Sequence, residues 1–191
     1  FNNIEHNLPM LSLDKAFTLE ELVEFDNRIS KFLNTKSNIE YVAEPKLDGL
    51  AVELVYVNGQ FSHGSTRGDG IIGEDVTNNL KTIKAIPLSL GISNPPELIE
   101  IRGEVFINKI DFENLNKKRI KEGLPLFSNA RNCAAGSLRQ LDSSITSKRP
   151  LRIFCYAPGI IKGININSQK EFLDKLPSWG LPVNKYTKVG K

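Results

Sequence analysis

The stretch Ala43-Glu44-Pro45-Lys46-Leu47-Asp48-Gly49 sets an amine between two carboxylates, each two residues away. A lysine becomes a nucleophile once its amine loses a proton. Its ordinary pKa of ~10.4 must be lowered for that, by desolvation or by nearby positive charge. Side chains at i and i±2 of an extended chain share a face, so Glu44, Lys46 and Asp48 would project together. The spacing alone fits a charged strand edge equally well.

A second candidate is the run from Arg67 to Asp75, R-G-D-G-I-I-G-E-D, which contains a literal G-x-G-x-x-G. A dinucleotide-binding fingerprint needs a buried parallel strand before it, a helix after it and an acid ~20 positions on, at the end of the next strand. Here the preceding segment reads as the second arm of a hairpin, and the suitably spaced Glu97 follows Pro95-Pro96. The context argues against the fingerprint. The glycines fit a surface turn with positive φ, while Arg67 beside them would make a phosphate clamp.

The elements that must position these residues are legible in outline. Thr18-Leu19-Glu20-Glu21 is a capping box, followed by Leu22, Phe25, Ile29, Phe32 and Leu33 at helical spacing, which predicts an amphipathic helix. Segments 39–43, 50–57 and 60–66 read as strands, the last two joined by the hairpin turn Asn58-Gly59, and they should pair antiparallel. A short helix is predicted over 74–83 and a strand with charges inserted over 98–107. A helix capped by Asn108 should run to about Glu122, with Gly123 as its stop. Residues 151–161 read as a buried strand. Ser168-Gln169-Lys170-Glu171 is a second capping box, whose helix ends near Trp179-Gly180. Hairpins interrupted by helices predict an α+β fold.

With 191 residues, 40% of them hydrophobic, the chain can bury one substantial core. No apolar run approaches the ~20 residues of a membrane span, and the first residues lack the pattern of a signal peptide, so no membrane partner and a reducing, cytoplasmic setting are expected. Cys133 and Cys155 have no metal-binding spacing with each other or with His6 and His63, and buried free thiols are expected. The formal charge of +3 is too weak to argue for nucleic acid by itself, and the run Lys117, Lys118, Arg119 and Lys121 reads as a solvated helix face. One continuous domain, acting as a monomer, is expected.

The K-x-D-G of Lys46 to Gly49, placed after a strand, resembles the nucleophile motif of the covalent nucleotidyltransferases, which include DNA and RNA ligases and capping enzymes. The wording "KLDGLAV" is similar to the bacterial NAD-dependent DNA ligases. So, in the same order, are "HNLPMLSLDKAFT", "STRGDGIIGEDVTNN", "IEIRGEVF", "FSNARNCAAGSLRQLD" and "KRPLRIFCYAPG", which together cover nearly the whole chain. This resemblance implies an antiparallel-sheet, ATP-grasp-like adenylation domain, with residues 1–38 as leading segment and linker helix and 39–191 as nucleotidyltransferase core.

The resemblance further implies that Lys46 attacks the α-phosphorus of NAD, expels nicotinamide mononucleotide and holds AMP for transfer to the 5′-phosphate of nicked double-stranded DNA. It assigns Glu44 to the adenine, Ser12 and Leu13 to the nucleotide site and Arg67 to the ribose or phosphate. Glu104 would contact ribose or a hydrated magnesium ion, and Asp48 would orient Lys46 or the metal shell. Without the resemblance, Ser12 could as well cap a turn and Glu104 pair with Arg102 as a cross-strand charge. Arg131 and Arg139 match the family's DNA-handling arginines. Eight residues apart on a helix, at ~1.5 Å rise per residue, they would share a face and could reach neighbouring phosphates; a solvated basic face is the alternative.

Two later lysine motifs of the superfamily are not found after Pro182, and an upstream domain gripping the nicotinamide half and several downstream domains are also expected of a complete ligase. The chain is therefore expected to be a fragment that binds the adenosine half weakly and does not seal nicks alone. An ATP-dependent ligase or capping enzyme, and a noncatalytic nucleotide- or DNA-binding module, are the competing readings.

Overall fold

The computed structural model describes residues 1–190. In chain order the elements are β1 (Asn3–Glu5), α1 (Leu19–Phe32), β2 (Tyr41–Ala43), β3 (Leu50–Val57), β4 (Gln60–Thr66), β5 (Ile72–Glu74), α2 (Thr77–Leu80) and β6 (Leu98–Phe106). These are followed by α3 (Lys109–Lys121), α4 (Ala130–Leu138), α5 (Ser143–Ser147), β7 (Arg152–Lys162), α6 (Gln169–Lys175), a 3-10 turn (Leu176–Trp179) and β8 (Lys188–Gly190). A four-stranded sheet in the order β4-β3-β6-β7 is antiparallel throughout, and two small antiparallel pairs, β1-β5 and β2-β8, flank it. Mixed α/β architecture with antiparallel sheets is thus what the sequence led one to expect.

The sheet's two faces follow from alternation. Val52, Leu54 and Tyr56 of β3 join Ile99, Ile101 and Val105 of β6 and Ile153 and Cys155 of β7 in one apolar core. Leu80, Leu138, Phe172 and Leu176 close over it from the helical side. Asn58 and Gly59 both take positive φ, 49° and 77°, which the tight β3–β4 turn requires.

The charges inserted in β6 all fall on the other face. Glu100, Arg102 and Glu104 alternate with the core residues, and Arg102 sits opposite Glu53 of β3, 3.5 Å from its carboxylate. A face with buried Glu53 and Glu100 must be partnered. The leading segment supplies the partners. His6 Nδ1 lies 3.0 Å from Glu53, Asn7 donates to Glu100 at 2.5 Å, and Arg102 donates to the Leu8 carbonyl at 2.7 Å. Backbone bonds from His6 to Ile71 and from Met10 to Gly70 stitch the same segment to the turn after β4.

Helix boundaries match with instructive exceptions. Thr18 and Glu21 form the full capping box of α1, yet no residue of that helix is buried; Leu22 and Phe32 are 55% and 86% exposed. Of its apolar residues only Phe25 and Ile29 are partly covered, Phe25 against Tyr41. The helix expected from Glu74 starts only at Thr77, because Glu74 is used in β5, opposite Asn3 of β1. Ser168 caps α6, but Glu171 reaches back to the Asn167 N–H and so does not close a box on Ser168 itself. Gly123 and Gly180 end their helical segments in the left-handed conformation.

Candidate active site

The lysine-bearing segment leaves β2 at Ala43 and rejoins the sheet at Leu50, and residues 44–48 belong to no strand. Pro45 has no N–H to give to a ladder. Gly49 is buried where a Cβ would lie 2.2 Å from the Val105 carbonyl oxygen, so a side chain there would hold this segment away from β6. Its N–H donates to Glu104 at 3.1 Å, which ties the lysine segment to the acid on β6.

That approach forms one wall of an open cleft of about 1150 Å³. Ser12, Leu13, Glu44, Lys46, Arg67, Glu104, Arg131 and Arg139 all line it, although they come from five separate stretches of chain. Asp48 does not. Its side chain is 78% exposed and lies 3.6 Å from Arg131. The expectation that Glu44, Lys46 and Asp48 share one face is therefore corrected for Asp48, because the i, i±2 rule holds for extended strand and this segment is not one.

The glycine-rich run is a turn, as its context indicated. Asp69 accepts from the Ile72 and Ile71 N–H groups at 2.8 and 2.9 Å, bonds that hold its carboxyl below the usual range. Gly68 has φ +56°, and a Cβ there would sit 1.8 Å from the Ile72 oxygen. The turn thereby delivers Arg67 to the cleft. From behind, His6 Nε2 lies 3.2 Å from the Arg67 carbonyl oxygen while Nδ1 faces Glu53.

Arg131 lies near the start of α4, and Arg139 is the residue that caps its end. Each is held by a carboxylate, Arg131 by Asp48 and Arg139 by Glu74, the latter at 2.6 Å. Along the cleft five cationic side chains, Lys46, Arg67, Arg102, Arg131 and Arg139, outnumber the carboxylates of Glu44, Glu74 and Glu104. Burial pushes the Glu104 carboxyl above the usual range, against the Gly49 N–H and the charges of Lys46 and Arg131. Burial likewise raises Glu44, opposed by a hydrogen bond from Gln169. Tyr156 is pushed up to about 12, chiefly by burial and then by Glu104.

Arg102, Phe154, Tyr156 and Gln169 also line the cleft and were not singled out from sequence. Alternation could have found the first three. Arg102 shares a strand face with Glu104, and Phe154 and Tyr156 alternate with the core residues Ile153 and Cys155. No local signal points to Gln169, which reaches Glu44 across 125 residues of sequence.

An antiparallel α+β domain whose cleft surrounds a lysine with an excess of guanidinium groups is built for ligands that carry phosphate. The chain matches the family of NAD-dependent DNA ligase adenylation domains over residues 1–191, and it belongs to that family. A DNA ligase of Geotalea uraniireducens is 58% identical over 186 residues, which make up 96% of this chain and 28% of that protein. DNA ligases of Geobacter sulfurreducens and Thermodesulfovibrio yellowstonii are 56% and 53% identical, over 96% and 100% of this chain. The chain thus spans a little over a quarter of the length of the curated relatives it matches. The family is that of the NAD-dependent branch, which favours it over the ATP-dependent reading.

Proposed function

We propose that this chain is the nucleotidyltransferase core that takes AMP from NAD on behalf of a DNA ligase. The observation that carries the reading is the convergence of Glu44, Lys46, Arg67, Glu104, Arg131 and Arg139 on one cleft. Lys46 Nζ attacks the α-phosphorus; an N–P bond forms, the bond to the bridging oxygen breaks, and nicotinamide mononucleotide leaves with the electron pair. The amine's protons pass to solvent. A 5′-phosphate oxygen at a DNA nick then attacks the same phosphorus, releases Lys46 and leaves with AMP, activated for sealing.

Phosphoryl transfer needs in-line placement and neutralised charge more than covalent chemistry from the protein. Glu44 meets the adenine in the cleft that Tyr156 also lines. Arg67 serves the ribose and phosphate side, Ser12 and Leu13 close the nucleotide site, and Arg131 and Arg139 take phosphates of the nicked DNA. Asp48, which pairs with Arg131 outside the cleft lining, orients Lys46 or the metal shell. Residues 1–38 act as leading segment and linker helix and the remainder as catalytic core.

Magnesium fits this donor set as a hydrated ion. Glu104 Oε1 is engaged by Gly49, Oε2 is left for a water of the ion's shell, and among the described residues no group of three His, Cys, Asp or Glu forms a fuller cage. A bound magnesium ion would supply charge neutralisation at the phosphates. The test is intact mass spectrometry of the parent-length protein incubated with NAD. An adduct of one AMP is expected in the wild type and none in Lys46→Ala; an adduct that survives the substitution would refute Lys46 as nucleophile.

A further inference from the structure

We propose that Gln169 is a specificity-determining positioning residue, which fixes Glu44 so that the cleft accepts a 6-aminopurine and rejects a 6-oxopurine. The proposal rests on the reading above, in which Glu44 meets the base of NAD.

Gln169 is the first residue of α6, half-buried in the cleft wall. Its side-chain nitrogen contacts two acceptors, the Glu44 carboxylate at 3.1 Å and the Tyr156 carbonyl oxygen at 2.5 Å. An amide nitrogen carries two hydrogens, and both are spent within the protein. The side chain therefore bridges the lysine-bearing segment to β7. It fixes Glu44 Oε1, while Oε2 has no hydrogen-bond partner among the described residues and is available to a ligand.

A carboxylate is acceptor-only, so the base edge opposite it must present a donor. Adenine offers an exocyclic amine there. A 6-oxopurine offers an oxygen, and acceptor would face acceptor. Discrimination of this kind depends on the carboxylate staying ionised and aimed. Burial works against ionisation of Glu44 and the Gln169 amide works for it. Without Gln169 the carboxyl can rotate, or take a proton and become a donor to the 6-oxo group.

The experiment compares NAD with nicotinamide hypoxanthine dinucleotide as nucleotidyl donors to the full-length polypeptide, following the mass adduct on Lys46. Wild type, Gln169→Met and Glu44→Gln are compared, with Gln169→Leu as a second variant should the first lower the melting temperature. Wild type is expected to favour NAD by about 10- to 100-fold in kcat/KM, the size of one well-made polar base contact. Gln169→Met, similar in length but without donors, is expected to lose at least tenfold of that preference, mainly through KM for NAD. A general loss of structure would slow both donors alike and keep the ratio, which overturns the proposal. If Glu44→Gln loses the preference while Gln169→Met and Gln169→Leu keep it, Gln169 is refuted and the Glu44 reading stands. If wild type shows no preference, or Glu44→Gln keeps it, the reading of Glu44 falls and the proposal with it.

Discussion

Glu44 and Glu104 are half-buried carboxylates in the wall of a cleft, and burial raises both. A carboxyl whose folded-state pKa is raised adds stability below its ordinary value and loses that contribution as pH climbs through the raised one. These two groups therefore make the domain less stable at neutral pH than neutral isosteres would. Glu104→Gln should melt higher than wild type at pH 7, by an amount that shrinks toward zero as the pH is lowered past the ordinary carboxylate range. Calorimetry across that range checks the sign. On the proposed role of Glu104, AMP capture should fall in the same variant, because that role uses the charge that folding disfavours. Lys46, Glu44, Arg67 and Glu104 were legible because each sits in a short run with a distinctive order of residue types. Asp48's outward position was not, because two-residue spacing specifies a face only where the backbone is extended.

Elements explain how the site is held. The leading segment contributes one three-residue strand, β1, and otherwise reaches the sheet through the His6 and Asn7 side chains, to Glu53 and Glu100, and through the Leu8 carbonyl, which accepts from Arg102. His6→Ala should destabilise the domain by about 1–3 kcal/mol, the cost of leaving a buried acceptor short of its partner, with Arg102 still present to limit the loss. Urea denaturation measures it. The segment in which alternation spread charge through β6 showed which residues share a face, but not that residues 6–8 would cover them. The same gap appears at α1. Its capping box and apolar stripe identify the helix, while a stripe carries no record of what covers it, and in this chain Leu22 and Phe32 are exposed.

On the scale of the whole molecule, charge is concentrated where the net balance hides it. A formal charge of +3 says little, yet five cations line one cleft. The proposed DNA contacts should show in the salt dependence of nicked-DNA binding by the full-length polypeptide. Arg131→Ala and Arg139→Ala should each lower the slope of log K against log salt by about 1, without changing sequence preference. An unchanged slope in a filter-binding titration would remove that arginine from the phosphate contacts. The α+β class and the hairpin were legible because local patterns encode them. Which strands flank the main sheet was not, since β2 finds its partner in β8 at the far end of the described chain, with Tyr41 opposite Gly190. That pairing also bears on biosynthesis. Contacts so distant in sequence close late, after a large loss of chain entropy, and a ribosome releases the chain from its N-terminal end. Lys46 is thus translated long before Gln169 and β8 exist to complete its surroundings, and a nascent chain carries its proposed nucleophile without a finished cleft around it.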